Sequence, residues 1–163
     1  RIEENTDYKS FDPCSFPSVY TNNFSFSLEK QMETIPLAVF GLHLTGQPLN
    51  HQLTDLGATF LRADFTAAEY RLYAITNSGP AKPGAVRVTD GSGGAIALEL
   101  WEIPVANLGF FVQKIPPPLG IGTVKLADGS LVKGFSCEGY VAGEVEDITH
   151  LGGWLAYLER QKQ

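Results

Sequence analysis

Short strand-like segments separated by turns dominate the middle of the chain. The longest of them, residues 95–103, alternates in the manner of a half-buried strand, with Ile96 and Leu98 on the apolar face. Between two later segments, the pair Asp128-Gly129 is typical of a β-hairpin turn. These patterns predict strands at residues 35–40, 59–63, 70–75, 85–89, 95–103, 122–126 and 131–141.

Three short helices interrupt the predicted strands. Gly57 stops the first, and Pro104 opens the second, because proline is tolerated in the first turn of a helix. The order of elements predicts an α+β fold, with a bent, mostly antiparallel sheet or small barrel and short helices at its rim, rather than a Rossmann pattern. In the first helix Leu49, Leu53 and Leu56 form one stripe. In the second, the side chains expected to face inward are Val105, Leu108, Val112 and Ile115, and the third carries Trp154, Leu155 and Leu158.

The two ends of the chain differ from its middle. Residues 1–33 are rich in Ser, Asn, Asp, Pro and Phe and lack a sustained apolar period, so we expect a connector from an upstream domain. Residues 159–163 are wholly polar and are interpreted as a tail toward a further segment. Residues 34–158 then form one domain, of a size that supports a core. Because the first residue is Arg1, we expect a piece of a longer protein.

Charge and composition exclude several classes of function. The net charge of −6 and the scattered basic residues argue against nucleic-acid binding, which requires clustered Lys and Arg. No stretch approaches the roughly 20 apolar residues that cross a bilayer. The cysteines, Cys14 and Cys137, are far apart, which fits a reducing interior and a cytoplasmic location. The histidines are too scattered to predict a metal site.

Residues 40–51, which join the first strand to the first helix, are the best candidate for chemistry. Gly41 and Gly46 allow a tight turn and a close approach to a ligand. The N–H groups at the start of the following helix favour a carboxylate. His43 and His51 flank this place, and histidine exchanges protons near neutral pH. The segment therefore predicts an anion site beside a proton carrier. The alternative is a structural turn in which His43 bonds to backbone.

The motif Gly-Leu-His-Leu-Thr-Gly-Gln-Pro-Leu-Asn at residues 41–50 resembles the opening motif of the C-terminal domain of allophanate hydrolases. The resemblance continues in order through residues 70–73, 82–88, 99–101, 115–124, 132–135, 147–149 and 152–154, and so covers about residues 35–158. It implies a fold similar to γ-glutamylcyclotransferases. It also implies an upstream amidase-signature domain that carries the hydrolytic site, and in fused urea amidolyases a urea carboxylase.

Two departures from the cyclotransferases matter. His43 stands where they have a leucine-like residue, and residues 105–122, where they have a catalytic glutamate, contain no carboxylate. The resemblance thus implies that the loop of the cyclotransferases is retained here while the reaction is different. Its substrate would be N-carboxycarbamate, a small dianion that malonate imitates. For this ligand we expect His43 as the catalytic residue, with His51 as the alternative. The predicted binding residues are Gly41, Leu42, Leu44, Gly46, Asn50, Arg71, Tyr73 and Lys82.

Some of these residues also have a structural interpretation. Arg71 and Tyr73 share one face of a strand, but equally suit an exposed arginine and a barrel-lining tyrosine. Lys82 lies in a predicted Pro/Gly loop, where a solvated lysine is the more common case. For Glu99, a structural role is favoured because a carboxylate repels an anionic substrate.

The leading hypothesis is decarboxylation of N-carboxycarbamate. When the C–N bond breaks, its electron pair moves to nitrogen, so a general acid accelerates the reaction. No cofactor is required, because the leaving group is nitrogen and not a carbanion. The alternative is a non-catalytic domain that dimerises or braces the amidase domain, and a homodimer is expected. A surviving γ-glutamylcyclotransferase activity would lack its carboxylate base.

Overall fold

The computed structural model describes residues 33–163, so the predicted connector, apart from Glu33, lies outside the described residues. Over this part of the chain there are eight strands and three helices, with two short 3-10 turns at Gly139–Val141 and Thr149–Leu151. In chain order the elements are β1 Thr34–Val39, α1 His51–Thr54, β2 Thr59–Phe65, β3 Tyr70–Ile75, β4 Lys82–Arg87, β5 Ala97–Pro104, α2 Val105–Val112, β6 Leu119–Lys125, β7 Leu131–Cys137, β8 Glu146–Asp147 and α3 Trp154–Gln161.

The larger sheet has five strands in the order β2-β5-β1-β7-β6. Its central strand, β1, runs antiparallel to β5 and parallel to β7. Leu37, Ala38 and Val39 of β1 are fully buried, as expected for a short apolar strand that is covered on both faces. The end of β1, where the predicted functional loop begins, therefore lies in the middle of the larger sheet.

The larger sheet curls, and its outer strands approach one another. Thr66, just after β2, forms a bridge with Leu126, just after β6, and the Ala127 N–H donates to the Phe65 carbonyl over 2.9 Å. A second sheet of three strands has the order β4-β3-β8, and β4 packs against β7. The predicted α+β class with a strongly bent, mostly antiparallel sheet is confirmed.

Three sequence predictions for strands have different outcomes. Strand β3 has the predicted bounds, and β6 and β7 form the predicted antiparallel hairpin around Asp128 and Gly129. Strand β4 begins at Lys82, three residues earlier than predicted. The prediction started later because proline is disfavoured inside a strand and Pro83 lies there. Strand β8 was missed, since two exposed acidic residues carry no strand pattern.

The helix faces were only partly predicted. In α2, Phe111 is the buried residue, whereas Val105 and Val112 are exposed, because a helix without charged residues gives no period that marks its outer face. In α3, Trp154 and Tyr157 are buried and Leu155 is exposed. Within residues 33–163, none of the helices has the length and apolarity needed to cross a membrane.

The predicted domain end at residue 158 lies inside α3, which continues to Gln161. The polar residues after position 158 are therefore, in part, the last turn of a helix and not a separate tail. Arg160 packs over the Tyr157 ring at 5.2 Å and donates to the Glu146 carboxylate at 2.7 Å. These contacts hold the final turn against the small sheet.

Candidate functional site

The loop between β1 and α1 is fixed by its own hydrogen bonds. The Leu44 N–H donates to the Gly41 carbonyl over 2.9 Å, and the Leu49 N–H donates to the Leu42 carbonyl over 2.8 Å. The Asn50 side-chain amide donates to the His43 carbonyl at 2.8 Å. The main chain of His43 is thus held from both sides of the loop.

Glu99, on β5, ties the same loop to the larger sheet. Its Oε2 accepts hydrogen bonds from the Thr45 N–H at 2.9 Å, the Thr45 hydroxyl at 3.0 Å and the Trp101 indole N–H at 3.0 Å. All three hydrogen bonds go to one carboxylate oxygen, so Glu99 serves to fix the loop, and this accounts for an acidic residue beside a predicted anion site. The structural role favoured for Glu99 is the role that this geometry supports.

Gly41 makes a close contact that the sequence did not reveal. A Cβ at this position would lie 2.3 Å from both Cγ and Cδ of Pro83, the second residue of β4. From the sequence, this glycine was expected to allow a ligand to approach the backbone. In the structure its absent side chain makes room for the proline ring, which brings the loop against the strand that carries Lys82.

A small cavity of about 140 Å³ opens beside this loop. Ligand sites for drug-sized molecules occupy roughly 300–1,000 Å³, so this volume suits a much smaller ligand. The polar groups of its wall are His43, Gln52, Lys82 and Lys114, and among the described residues that line it none is acidic. The rest of the wall is largely apolar and includes Phe40, Leu42, Leu49, Ile115, Leu119 and Phe135.

The His43 ring is enclosed on several sides. It stacks on Phe135 with ring centres 5.0 Å apart and meets the edge of Phe111 at 5.1 Å. Its Nε2 lies 3.1 Å from the Gln52 side-chain oxygen. Burial lowers the pKa of His43, an effect that the Gln52 hydrogen bond opposes and the nearby His51 reinforces. The lowered pKa favours the neutral form of the ring near pH 7.

Lys82 is a buried cation without an acidic partner. Its side chain is only 7% exposed, and its ammonium group donates to the backbone carbonyl and, over 3.3 Å, to the hydroxyl of Ser78. Within residues 33–163, no carboxylate lies within salt-bridge distance of it. The sequence favoured a solvated lysine in a loop. This prediction is wrong, since Lys82 is the first residue of β4, pairs with Ile75 of β3 and is buried. An ammonium group that has no acidic partner among the described residues and lies in a largely apolar wall favours an anionic ligand.

The structure separates the predicted site residues into two groups. Gly41, Leu42, His43 and Lys82 line the cavity. Leu44 is buried in the core, Gly46 is exposed at the loop tip with φ of 77°, and Asn50 supports the His43 backbone.

Two further predicted residues, Arg71 and Tyr73, lie on the small sheet. The Arg71 guanidinium donates to Ser92 at 3.0 Å and lies 3.6 Å from the Asp147 carboxylate, while Tyr73 is buried. Neither of them lines the cavity.

The predicted cradle of loop amides is only partly available. The N–H groups of Leu44 and Thr45 are used within the protein, by Gly41 and Glu99. Helix α1, at four residues, is also shorter than predicted. A ligand in this cavity would therefore meet side chains more than backbone amides.

His51, the alternative proton donor, lies outside the cavity. Its ring is exposed, and its Nδ1 is 2.9 Å from the Pro48 carbonyl. Two polar cavity residues, Gln52 and Lys114, were missed by sequence reasoning. Neither residue belongs to a motif with a chemical meaning, and a scattered lysine has no distinguishing signal. Among the described residues, no three His, Cys, Asp or Glu side chains meet as a cation site.

The fold and the cavity together define a class. A γ-glutamyl cyclotransferase structure superposes with a TM-score of 0.51 over 71% of this chain and 70% of that chain, at 10% sequence identity. Identity at this level concerns the fold alone, and it confirms the predicted cyclotransferase-like architecture. The chain is a domain of this fold with a small, non-acidic cavity at the end of its central strand.

The family is defined by sequence. A model of the allophanate hydrolase C-terminal domain matches residues 35–159. The chain therefore belongs to the allophanate hydrolase C-terminal domain family, as the motif at residues 41–50 predicted.

Relatives and solved structures agree with this membership. The urea amidolyase of Saccharomyces cerevisiae is 44% identical over 133 residues, which are 80% of this chain and 7% of that protein. Kluyveromyces lactis allophanate hydrolase superposes with a TM-score of 0.75 at 43% identity, over 81% of this chain and 22% of that one. A uropathogenic E. coli-specific protein gives a TM-score of 0.73 at 38% identity, over 78% of this chain and 98% of that one. The chain thus spans only 7% of the length of the curated relatives it matches.

Proposed function

We propose that this domain decarboxylates N-carboxycarbamate as the second step of allophanate breakdown in a urea-degrading enzyme. In the proposed parent protein, an amidase-signature domain hydrolyses allophanate, releases ammonia and leaves N-carboxycarbamate. A urea carboxylase would be part of the same chain in a fused urea amidolyase. The support for this parent is the similarity to proteins named urea amidolyase and allophanate hydrolase.

The observation that carries the proposal is the charge of the cavity. His43 and the buried ammonium of Lys82 line one small space, Lys114 lies at its wall, and none of the described lining residues is acidic. A dianion would supply the negative charge that Lys82 lacks within the described residues. The same absence of an acid disfavours γ-glutamylcyclotransferase chemistry, which requires a carboxylate base.

The reaction follows from these groups. One carboxylate carbon of N-carboxycarbamate loses its bond to nitrogen and departs as carbon dioxide, the bonding pair moves to nitrogen, and a proton from His43 joins it to give carbamate. Lys82 would hold the carboxylate that stays. Burial lowers the pKa of His43 in the empty cavity, whereas a bound dianion raises it by charge attraction. We therefore expect the ring to take up its proton together with the substrate.

A coupled assay tests the proposal. An amidase domain alone converts allophanate, and ammonia and carbon dioxide are followed independently with and without this domain. We expect addition of the domain to speed carbon dioxide release and to leave the first ammonia release unchanged. Equal carbon dioxide rates in both arms would refute the catalytic role.

The same assay separates the alternative. A domain that only braces or dimerises with the amidase domain would accelerate the first ammonia release itself. In that case a His43→Ala variant whose circular dichroism shows a retained fold would accelerate it equally.

A further inference from the structure

The hydrogen bond between His43 and Gln52 determines which ring nitrogen can exchange a proton. Gln52 Oε1 lies 3.1 Å from His43 Nε2, and in the described part of the chain no hydrogen bond reaches Nδ1. In a neutral imidazole one nitrogen carries hydrogen and the other a lone pair, and the partner of the first decides the tautomer. A carbonyl oxygen that faces Nε2 favours the tautomer with hydrogen on Nε2 and the lone pair on Nδ1.

The position of Gln52 is well defined by α1. Its backbone N–H donates to the Leu49 carbonyl at 3.0 Å, and the next residue, Leu53, is completely buried. The His43 ring is equally constrained, since Phe135 stacks on its face and Phe111 meets it edge-on. Two restrained groups joined by one hydrogen bond leave little freedom for a ring flip.

The chemical type of residue 52 also matters. An amide oxygen accepts the Nε2 hydrogen of both the neutral and the charged ring, and it adds no charge. A carboxylate at the same place would stabilise the imidazolium more strongly, but it would put negative charge into a cavity whose described lining has none. A neutral acceptor lets His43 gain and lose a proton while the cavity stays attractive to an anion.

We infer that Gln52 is a positioning residue that keeps His43 in the Nε2-protonated tautomer, so that Nδ1 is the nitrogen that carries the transferred proton. The catalytic part of this inference rests on the proposed decarboxylation. The tautomer itself does not depend on that function, so the two can fail separately.

Nitrogen-15 NMR of the histidine side chains in the intact chain tests the tautomer directly. In the unliganded domain above pH 7.5, His43 should show a protonated Nε2 and a lone-pair Nδ1. In Gln52→Leu the two tautomers should mix, while the matched exposed change Gln113→Leu should leave the spectrum as in the original chain. A protonated Nδ1 in the original chain, or a Gln52→Leu spectrum identical to it, would overturn the inference.

The rate measurement then addresses catalysis. We expect Gln52→Leu to slow carbon dioxide release roughly 10-fold, part of the contribution of a general acid. In Gln52→Glu the pKa of His43 should rise, the pH profile should move to higher pH, and malonate should bind more weakly. If the tautomer mixes in Gln52→Leu and the rate is unchanged, Gln52 still sets the tautomer but has no role in the reaction.

Discussion

The cavity wall, to which β4 contributes Lys82, and the rest of the small sheet treat positive charge in opposite ways. On the small sheet, Arg71 lies near Asp147, and Arg87 donates to Glu69 at 2.6 Å. In the cavity wall, Lys82 is more deeply buried than either arginine, yet among residues 33–163 its hydrogen-bond partners are only the neutral oxygens of Ser78. Burial of a charge without a partner of opposite charge costs free energy. The costly arrangement is found at Lys82, which lines a cavity where an anionic ligand could supply that partner.

This contrast distinguishes cations that support the fold from cations that are available to a ligand. The sequence placed Arg71 and Lys82 together as predicted binders of one anion. The structure gives Arg71 a carboxylate neighbour and leaves Lys82 without one among the described residues. Substitutions on the two sides should therefore have different consequences.

The largest effect is expected for His43→Ala. If His43 is the general acid, as proposed, its removal should slow carbon dioxide release by about 10²- to 10⁴-fold, while circular dichroism should show a retained fold. The same change at His51, which is exposed and outside the cavity, should leave the rate within about twofold. If His51→Ala slowed the reaction and His43→Ala did not, the proton donor would be His51 on the helix and not His43.

Lys82→Met should weaken malonate binding and preserve stability. Loss of one charge-assisted hydrogen bond of about 1.5–3 kcal/mol corresponds to roughly 10- to 100-fold in affinity, measured by calorimetry. The free energy of unfolding should stay constant or rise, since a buried charge without a carboxylate is replaced by an apolar chain of similar length. Lys133→Met, at an exposed position on β7, is the matched control. A large loss of stability in Lys82→Met would show that Lys82 supports the fold.

The pH dependence of malonate binding should follow from His43. Burial lowers the pKa of the ring in the empty cavity, and a bound dianion raises it, so binding takes up a proton. Between about pH 8 and pH 6.5, affinity should increase as pH falls, by at most about tenfold per pH unit for one proton. In His43→Gln this dependence should vanish. An affinity that is independent of pH in the original chain would argue against coupled protonation.

Arg71→Met should have the smallest effect. The guanidinium lies 3.6 Å from Asp147 at the surface, and exposed ion pairs of this kind contribute little. Malonate affinity should change less than about twofold, and the melting temperature should change by a few degrees at most. A marked loss of malonate binding would indicate that Arg71 does contact the anion, and the contrast between the two regions would then be wrong.

The sequence identified the loop between β1 and α1 as the candidate site because its motif is distinctive. The residues after β1 carry a histidine between two glycines, and the family resemblance identified the same segment. It also predicted β3 and the β6–β7 hairpin, where alternation and turn residues agree with the final pairing. Such features depend on local patterns, which a single sequence contains.

The rest depends on contacts between distant segments. Lys82 was placed in a loop because Pro83 opposes a strand, and its burial arises from pairing with β3. Arg71 was overestimated because its neighbour, Asp147, lies on a two-residue strand without a pattern. Gln52 gained meaning only when the structure brought its side chain to the His43 ring.

The contact between Gly41 and Pro83 has a consequence for how this family can diverge. A methyl group at position 41 would occupy the space of the proline ring, so a side chain at position 41 requires a change at position 83 as well. Pro83 follows Lys82 directly, and Gly41 precedes His43 by two residues. A side chain at position 41 would therefore alter the spacing between His43 and the buried ammonium group of Lys82. The pair constrains substitution without taking part in the chemistry.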